Sequence, residues 1–186
     1  YVCGITPYDS THMGHAATYV TFDLVNRIWR DAGHEVIYVQ NVTDIDDPLL
    51  ERAERIGDSW ERIAEREILK FRDDLTALRV LPPNSYITVT EHMQHIIAWI
   101  EKLVAANMAY VLDGDLYFDS SNIGDLGSIS HLDHAAMFEL SLERGGDPQR
   151  VGKRNPLDPV LWKKRKDAEP FWQAPFGEGR PGWHIE

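Results

Sequence analysis

The chain has 186 residues, and 43% of them are hydrophobic, which is enough for one domain with its own core or for a domain with a sizeable insertion. Its 19 basic and 30 acidic residues give a net charge of −11. This balance argues against a large surface that grips nucleic-acid phosphates, so we expect no nucleic-acid partner.

Cys3 is the only cysteine, which rules out an intrachain disulfide and favours a reducing, cytoplasmic compartment. No apolar run approaches the roughly 20 residues that a membrane-spanning helix needs, and no signal peptide is visible. The chain starts without methionine inside an apolar stretch and stops at "PGWHIE". We therefore expect it to be a piece of a longer protein.

The first 42 residues have the pattern of a strand, a helix and a second strand. "YVCGI" (1–5) and "EVIYVQNV" (35–42) are apolar enough for buried parallel strands, and a helix is predicted over 14–32. Because neighbouring parallel strands end at the same edge of a sheet, residues 3–15 and 41–47 should lie together there. The apolar residues predicted to share one face of the helix are Ala17, Val20, Leu24 and Ile28.

Further elements follow in chain order. Asp47-Pro48 begins a short helix that ends at Gly57, and a second helical stripe runs from Trp60 to Leu78. "LPPNS" (81–85) breaks that pattern. The pattern then predicts another amphipathic helix, a hairpin over 109–118 and a returning strand over 159–163. Residues 119–158 have few periodic cues.

A sequence of two histidines around a glycine, His12-Met13-Gly14-His15, stands at the predicted start of the first helix. Free backbone N–H groups and the positive end of the helix dipole attract an anion there, and imidazoles add hydrogen-bond donors. The motif is therefore suited to the phosphates of a nucleotide. The same four residues could also be a helix cap with two surface histidines.

Four segments carry a resemblance to a known family: "YVCGITPYDSTHMGHAATY", "NVTDIDDPLLERA", "KRNPLDPVLWK" and "GRPGWHIE". In this order they resemble the cysteinyl-tRNA synthetases of class I, and they resemble the mycothiol-pathway cysteine ligases of the same family more closely. "GITPYD" with "HAATY", "DDPLLERA" and "ERGGDP" favour the ligases. The residues of the ligase-specific motif are Glu143, Arg144, Gly145, Gly146, Asp147 and Pro148.

The resemblance implies an α/β fold, namely a Rossmann-like class I synthetase catalytic domain with an α/β insertion, truncated at both ends. Residues 1–83 would form the N-terminal half of the nucleotide-binding domain, 84–155 the connective insertion, and 156–186 the return to the catalytic domain. Those boundaries define the three parts that we expect.

The resemblance also implies the roles of individual residues. His12 and His15 would be catalytic and would stabilise charge on the phosphates of ATP, while Thr18 would lie near the amino-acid end of the adenylate and Trp183 beside the substrate side chain. The complete set expected to bind substrate or adenylate is Cys3, Gly4, Ile5, Thr6, His12, Gly14, His15, Thr18, Asn41, Val42, Thr43 and Trp183.

The family's corresponding cysteine is a zinc ligand, so Cys3 is expected to bind one Zn²⁺, whose remaining ligands would lie beyond Glu186. A thiolate is a good zinc ligand and a hydroxyl a poor one, so the metal could select cysteine over serine. The spacing alone favours Cys3 as a small buried apolar side chain, and it is the resemblance that favours the zinc ligand. Mg²⁺ is expected to accompany ATP.

The function that the resemblance implies is an AMP-forming ligation. ATP and L-cysteine would give cysteinyl-AMP, whose carbonyl the amine of glucosaminyl-inositol would attack, in a monomeric enzyme with no membrane partner. This fragment alone is expected to be inactive. Two alternatives remain open: a cysteinyl-tRNA synthetase, in which tRNA is the acceptor, and a non-catalytic nucleotide-binding module.

Overall fold

A computed structural model describes all residues from 1 to 186, and they form two compact units, Tyr1–Met93 and Gln94–Glu186. The three-part division at residues 83 and 155 stays a prediction about the organisation of the whole catalytic domain. None of the helices combines the length and the apolar character that crossing a bilayer requires.

The first unit contains a parallel β-arrangement flanked by helices. Strand β1 pairs in parallel with β2, and Val2 forms a single parallel bridge with Gln40 on the other side of β1. The elements of this unit are α1 (Met13–Asp31), β1 (Val39–Val42), α2 (Asp47–Ile56), α3 (Trp60–Ala77) and β2 (Ser85–Thr88).

The predicted βαβ unit is confirmed in its connection and its parallel sense, but both strands are shorter than the pattern indicates. The first is reduced to the bridge at Val2, and the second begins at Val39. Side chains take the place of a longer ladder: Arg30 donates to the Val36 carbonyl at 3.1 Å, and the Tyr38 amide donates to Asn84 Oδ1 at 2.8 Å. Those backbone groups are therefore not available to extend β1 toward its start.

Helix α1 has the predicted extent to within a residue, but the predicted apolar face is not the one that packs. Leu24 and Ile28 are exposed, and Val20 is only partly buried. The buried positions are Tyr19, Asp23 and Asn26. Polar atoms of these three side chains bond to other backbone and side-chain groups. Because hydrophobic periodicity counts only apolar residues, it predicts the wrong face of the helix.

Asp23 illustrates how that polar face is held. Its carboxylate accepts from the Leu81 amide at 2.8 Å and from the Arg27 guanidinium at 2.7 Å. The "LPPNS" segment thus leads from an anchored residue directly into β2, a strand that the sequence pattern did not predict. The apolar core of this unit consists of Val2, Ile5, Tyr19, Tyr38, Val42 and Phe71, with a second cluster of Leu49, Ala53, Ile63 and Ala64.

The second unit is built on a four-stranded antiparallel sheet in the order β3-β4-β5-β6. The predicted hairpin is confirmed, and Asp113 and Gly114 adopt the left-handed backbone that its two-residue turn needs, with φ of 54° and 94°. The predicted returning strand is confirmed as β5. The elements are α4 (Met93–Ala105), β3 (Ala109–Leu112), β4 (Asp115–Phe118), α5 (His134–Glu143), β5 (Val160–Lys164) and β6 (Gly179–Pro181).

Helix α5 lies inside 119–158, where the sequence has few periodic cues. None of its residues is buried, so no apolar face had to be encoded. Its start is marked instead by Asp133, whose carboxylate accepts from the Ala136 amide at 2.8 Å.

Asp158 is the polar centre of the second unit and is only 1% exposed. Its carboxylate accepts from Tyr110 Oη at 2.7 Å, from the amide and hydroxyl of Ser120 at 2.8 and 2.7 Å, and from the Asn155 amide at 2.8 Å. Burial by itself would raise the pKa of Asp158, but the hydrogen bonds from Ser120 and Tyr110 outweigh it and hold that pKa below 3.8.

We predict that Asp158→Ala lowers the free energy of unfolding by about 3 kcal/mol, because four donors, two of them on the buried Ser120, lose an ionised acceptor. A carboxylate whose pKa is lowered by folding raises the free energy of unfolding at pH values above its unfolded pKa of 3.8. That stabilisation is lost as the pH falls through the pKa of the folded state. The difference in the free energy of unfolding between wild type and Asp158→Ala, measured with urea, should therefore become smaller in acid. The exposed Asp167→Ala is the matched control, and an equal loss in both variants would contradict the prediction.

Candidate functional site

The chain from Val2 to Ile5 runs beside β1 and is held there by three hydrogen bonds. The Val2 amide donates to the Val39 carbonyl at 3.0 Å, the Gly4 amide to Asn41 Oδ1 at 2.8 Å, and the Thr43 amide to the Ile5 carbonyl at 3.0 Å. The structure therefore brings residues 3–5 together with residues 41–43, as the parallel arrangement predicts.

Gly4 is required by the closeness of this approach. A Cβ atom built at Gly4 would lie 1.6 Å from the carbonyl oxygen of Asn41, which no side chain can tolerate. The position of Cys3, directly before this contact, is consequently set by the backbone of β1.

The two histidines of the motif cap helix α1 reciprocally. His12 is the N-cap residue and its Nδ1 accepts from the Gly14 amide at 3.1 Å, while Nδ1 of His15 accepts from the His12 amide at 3.2 Å. The rings stack with their centroids 4.0 Å apart. Of the two interpretations of this motif, the helix cap is confirmed, and the phosphate site stays a prediction.

The capping bonds determine which nitrogen of each ring remains available. A nitrogen that accepts a hydrogen bond carries no proton, so neutral His12 and His15 must carry it on Nε2. Burial, and the neighbouring His12 in second place, lower the pKa of His15, which keeps that ring neutral at neutral pH. Each ring can therefore offer an Nε2–H donor next to the free amides of the first turn.

Tyr19 connects α1 to the strand end. Its hydroxyl donates to the Cys3 carbonyl at 3.1 Å, one helical turn after His15, and the Cys3 side chain is exposed. Burial raises the pKa of Tyr19, so the hydroxyl keeps its proton and remains a donor. Thr18 is exposed, and its hydroxyl bonds back to the Gly14 carbonyl at 3.1 Å.

Trp183 and the "ERGGDP" motif belong to the second unit. Trp183 is half-exposed in the one-turn helix Trp183–Ile185, and its ring centroid lies 5.2 Å from that of His184. In the "ERGGDP" motif, Asp147 accepts hydrogen bonds from Tyr117 Oη and from Lys153 Nζ, the latter at 2.9 Å. The motif is thus anchored to its own sheet through β4, and its functional role stays a prediction.

Sequence reasoning missed Asp44, which follows the predicted Asn41–Thr43 segment. Its carboxylate is buried and accepts from the Thr90 amide at 3.0 Å and from the Thr90 hydroxyl, which ties the end of β1 to the residues after β2. Burial raises the pKa of Asp44, and the bonds from Thr90 oppose that rise. The only signal was a carboxylate next to an apolar strand, which is equally typical of a surface turn. The N-cap position of the helix that follows is Asp46, one residue before the predicted Asp47.

The fit of a zinc ion can be judged from the donors present. Residues 1–186 contain no group of three or more His, Cys, Asp or Glu side chains that could hold a metal ion. The exposed thiol of Cys3 is chemically suited to be one zinc ligand, so a complete ligand set would need donors from elsewhere in the protein.

The family model described as the tRNA synthetases class I (C) catalytic domain matches residues 1–186. The chain belongs to this family. A solved structure named "putative arginyl t-RNA synthetase", from Campylobacter jejuni, is similar with a TM-score of 0.51 and 17% identity over 68% of this chain and 38% of that one. At that identity the similarity shows the shared fold, a class I synthetase catalytic domain of mixed α/β type.

Relatives within the family are much more similar in sequence. Three proteins named L-cysteine:1D-myo-inositol 2-amino-2-deoxy-alpha-D-glucopyranoside ligase, from Thermomonospora curvata, Thermobifida fusca and Geodermatophilus obscurus, are 59%, 57% and 60% identical over all of this chain. The chain covers 45% of the length of each of these relatives.

We predict that protonation of His15 in acid lowers the free energy of unfolding. A histidine whose folded pKa lies below its unfolded value of 6.5 stabilises the fold fully above pH 6.5, and that stability is lost as the pH falls below it. Replacing His15 by glutamine keeps an acceptor at the third helical position, because glutamine is a regular partner in capping boxes, but removes the titration. Urea midpoints measured at about pH 5 and about pH 7.5 should differ more for wild type than for His15→Gln. An identical pH dependence in the two proteins would show that His15 does not contribute.

Proposed function

We propose that the protein containing this chain is an ATP-dependent ligase that joins L-cysteine to the amine of glucosaminyl-inositol. The observation that carries the proposal is that α1, which begins with the capping imidazoles, is bonded through the Tyr19 hydroxyl to the carbonyl of the exposed Cys3. The relatives at 57–60% identity support the choice of acceptor, since their name describes that amino sugar.

The first step would form cysteinyl-AMP. A carboxylate oxygen of L-cysteine attacks the α-phosphorus of ATP, a new P–O bond forms, and the bond to pyrophosphate breaks. The Nε2–H groups of His12 and His15 would donate to the phosphate oxygens on which charge develops. Because their Nδ1 atoms are engaged in the cap, both donors are oriented before substrate binds, which contributes to holding the reactants in line.

The second step would transfer the cysteinyl group. The neutral amine of the acceptor attacks the carbonyl carbon of cysteinyl-AMP, a C–N bond forms, AMP leaves, and the amine loses a proton. Residues Cys3 to Thr6, Thr18 and Asn41 to Thr43 would line the adenylate. Trp183 would provide an apolar wall for the substrate side chain, and the "ERGGDP" motif would distinguish this ligase from the tRNA synthetases.

The proposal includes two metal ions. Cys3 would be one ligand of a zinc ion that binds the substrate thiolate and so rejects serine, and Mg²⁺ would accompany ATP. The substrates would be the small molecules ATP, L-cysteine and the amino sugar, without a nucleic-acid or membrane partner. We further propose that the enzyme acts as a monomer in the cytoplasm, where thiols stay reduced.

The full-length protein should catalyse cysteine-dependent exchange of pyrophosphate into ATP and should then release AMP when glucosaminyl-inositol is added. Product formation with the amino sugar and none with tRNA is the expected result. Charging of tRNA would instead make the protein a cysteinyl-tRNA synthetase. Nucleotide binding without exchange would identify a non-catalytic module.

We predict that His12→Asn lowers the rate of cysteine-dependent exchange by about 100-fold, because one preorganised donor to the phosphates is lost. Asparagine remains a good N-cap residue, so the helix start should persist. The control is His34→Asn, which changes an exposed histidine beyond the end of α1. Equal rates in the two variants would remove His12 from the catalytic step.

A further inference from the structure

The peptide unit between Cys3 and Gly4 lies beside β1 and is held by two side chains. Its carbonyl oxygen accepts from Tyr19 Oη at 3.1 Å, and its N–H donates to Asn41 Oδ1 at 2.8 Å. Both polar atoms of this one peptide unit are therefore held by side chains, one from helix α1 and one from strand β1.

The neighbouring backbone groups are held differently. The Val2 amide and the Ile5 carbonyl bond to the backbone of β1 and the residue after it, at 3.0 Å each. Those bonds fix where the segment lies along β1, but a peptide plane between them can still rotate. The bonds from Tyr19 and Asn41 remove that rotation, and with it the freedom of the Cys3 Cα–C bond.

Tyr19 is well placed to act as a fixed support. It is only 2% exposed, and its ring packs edge-on against Phe71 with centroids 4.9 Å apart. The Cys3 side chain, in contrast, is exposed. A reactive group that faces solvent is thus carried on a backbone whose orientation is fixed from the buried side.

We propose that Tyr19 is a positioning residue that orients the Cys3 thiol by holding the carbonyl of the Cys3–Gly4 peptide unit. Asn41 acts on the N–H of the same unit, so its side-chain oxygen serves the backbone in addition to any contact with ligand. The inference rests on the proposed function only insofar as the thiol is used to bind cysteine.

The test compares two deletions of a buried tyrosine hydroxyl in the full-length protein. Tyr19→Phe removes the bond to Cys3, whereas Tyr38→Phe removes a bond of 2.9 Å to Gln40 Oε1. In pyrophosphate exchange, Tyr19→Phe should raise the KM for L-cysteine about 10-fold while kcat and the KM for ATP change less than about two-fold. Tyr38→Phe should leave all three within about two-fold.

A second measurement does not depend on catalysis. Metal-free full-length protein is titrated with Co²⁺ alone, and thiolate-to-cobalt absorption reports ligation. Tyr19→Phe should weaken Co²⁺ binding about 10-fold and Tyr38→Phe should not. Asn41→Leu should weaken it similarly, while Asn41→Asp, which keeps an acceptor for the Gly4 amide, should not.

The outcomes separate the inference from the proposed function. If wild type shows no cysteine-dependent exchange but Co²⁺ binding depends on Tyr19 and Asn41 as described, the positioning role stands and the ligase proposal fails. If exchange is normal and Tyr19→Phe matches wild type in both assays, the positioning role is wrong. Equal losses in Tyr19→Phe and Tyr38→Phe would likewise overturn it, since they would reflect general loosening of the core.

Discussion

The contact between residues 2–5 and strand β1 is the constraint on which the rest of the site depends. It requires a glycine at position 4, because the backbone of β1 occupies the space of a side chain there. It holds Cys3 between Val2, whose amide bonds to the Val39 carbonyl, and Gly4, whose amide bonds to the Asn41 side chain. A site assembled in this way is defined by backbone packing before any ligand binds.

Helix α1 joins stability and chemistry in the same few residues. Its capping bonds satisfy amides that would otherwise lack partners, and they leave the Nε2 atoms of His12 and His15 directed away from the cap. Helix α1 is held by hydrogen bonds of Tyr19 with the Cys3 carbonyl and of Asp23 with the Leu81 amide, and the ring of Tyr19 also packs in the apolar core. Polar residues on this face bury less apolar surface than an apolar stripe would. Their hydrogen bonds are directional, however, and fix the helix to particular backbone groups, which apolar packing alone does not do.

Much of the architecture follows from local patterns. The parallel βα connection, helices α2 and α3, the hairpin and β5 were all predictable, because capping residues, turn residues and periodicity act over a few residues. The packed face of α1 was not, since it depends on where Leu81 and Cys3 lie in space. Strand β2 was hidden for a related reason, as it follows two prolines and is partly organised by the Asn84 side chain.

The same distinction applies to the site. The paired histidines and Cys3 could be singled out from their types and positions, and their roles came from resemblance to the family. Tyr19 and Asp44 could not be found in this way, because each acts through a partner distant in sequence, Cys3 and Thr90 respectively. Residues that position others leave a signal only in three dimensions.

We propose that the segment with Cys3 and the capped start of α1 bind a single ligand. The most direct test is a crystal structure of the full-length protein with a non-hydrolysable analogue of cysteinyl adenylate. We expect the cysteinyl sulfur to lie on the Cys3 side and the phosphate mimic to accept hydrogen bonds from the start of α1, with Nε2 of His12 or His15 among the donors. A bound analogue that contacts neither Cys3 nor the two imidazoles would contradict it.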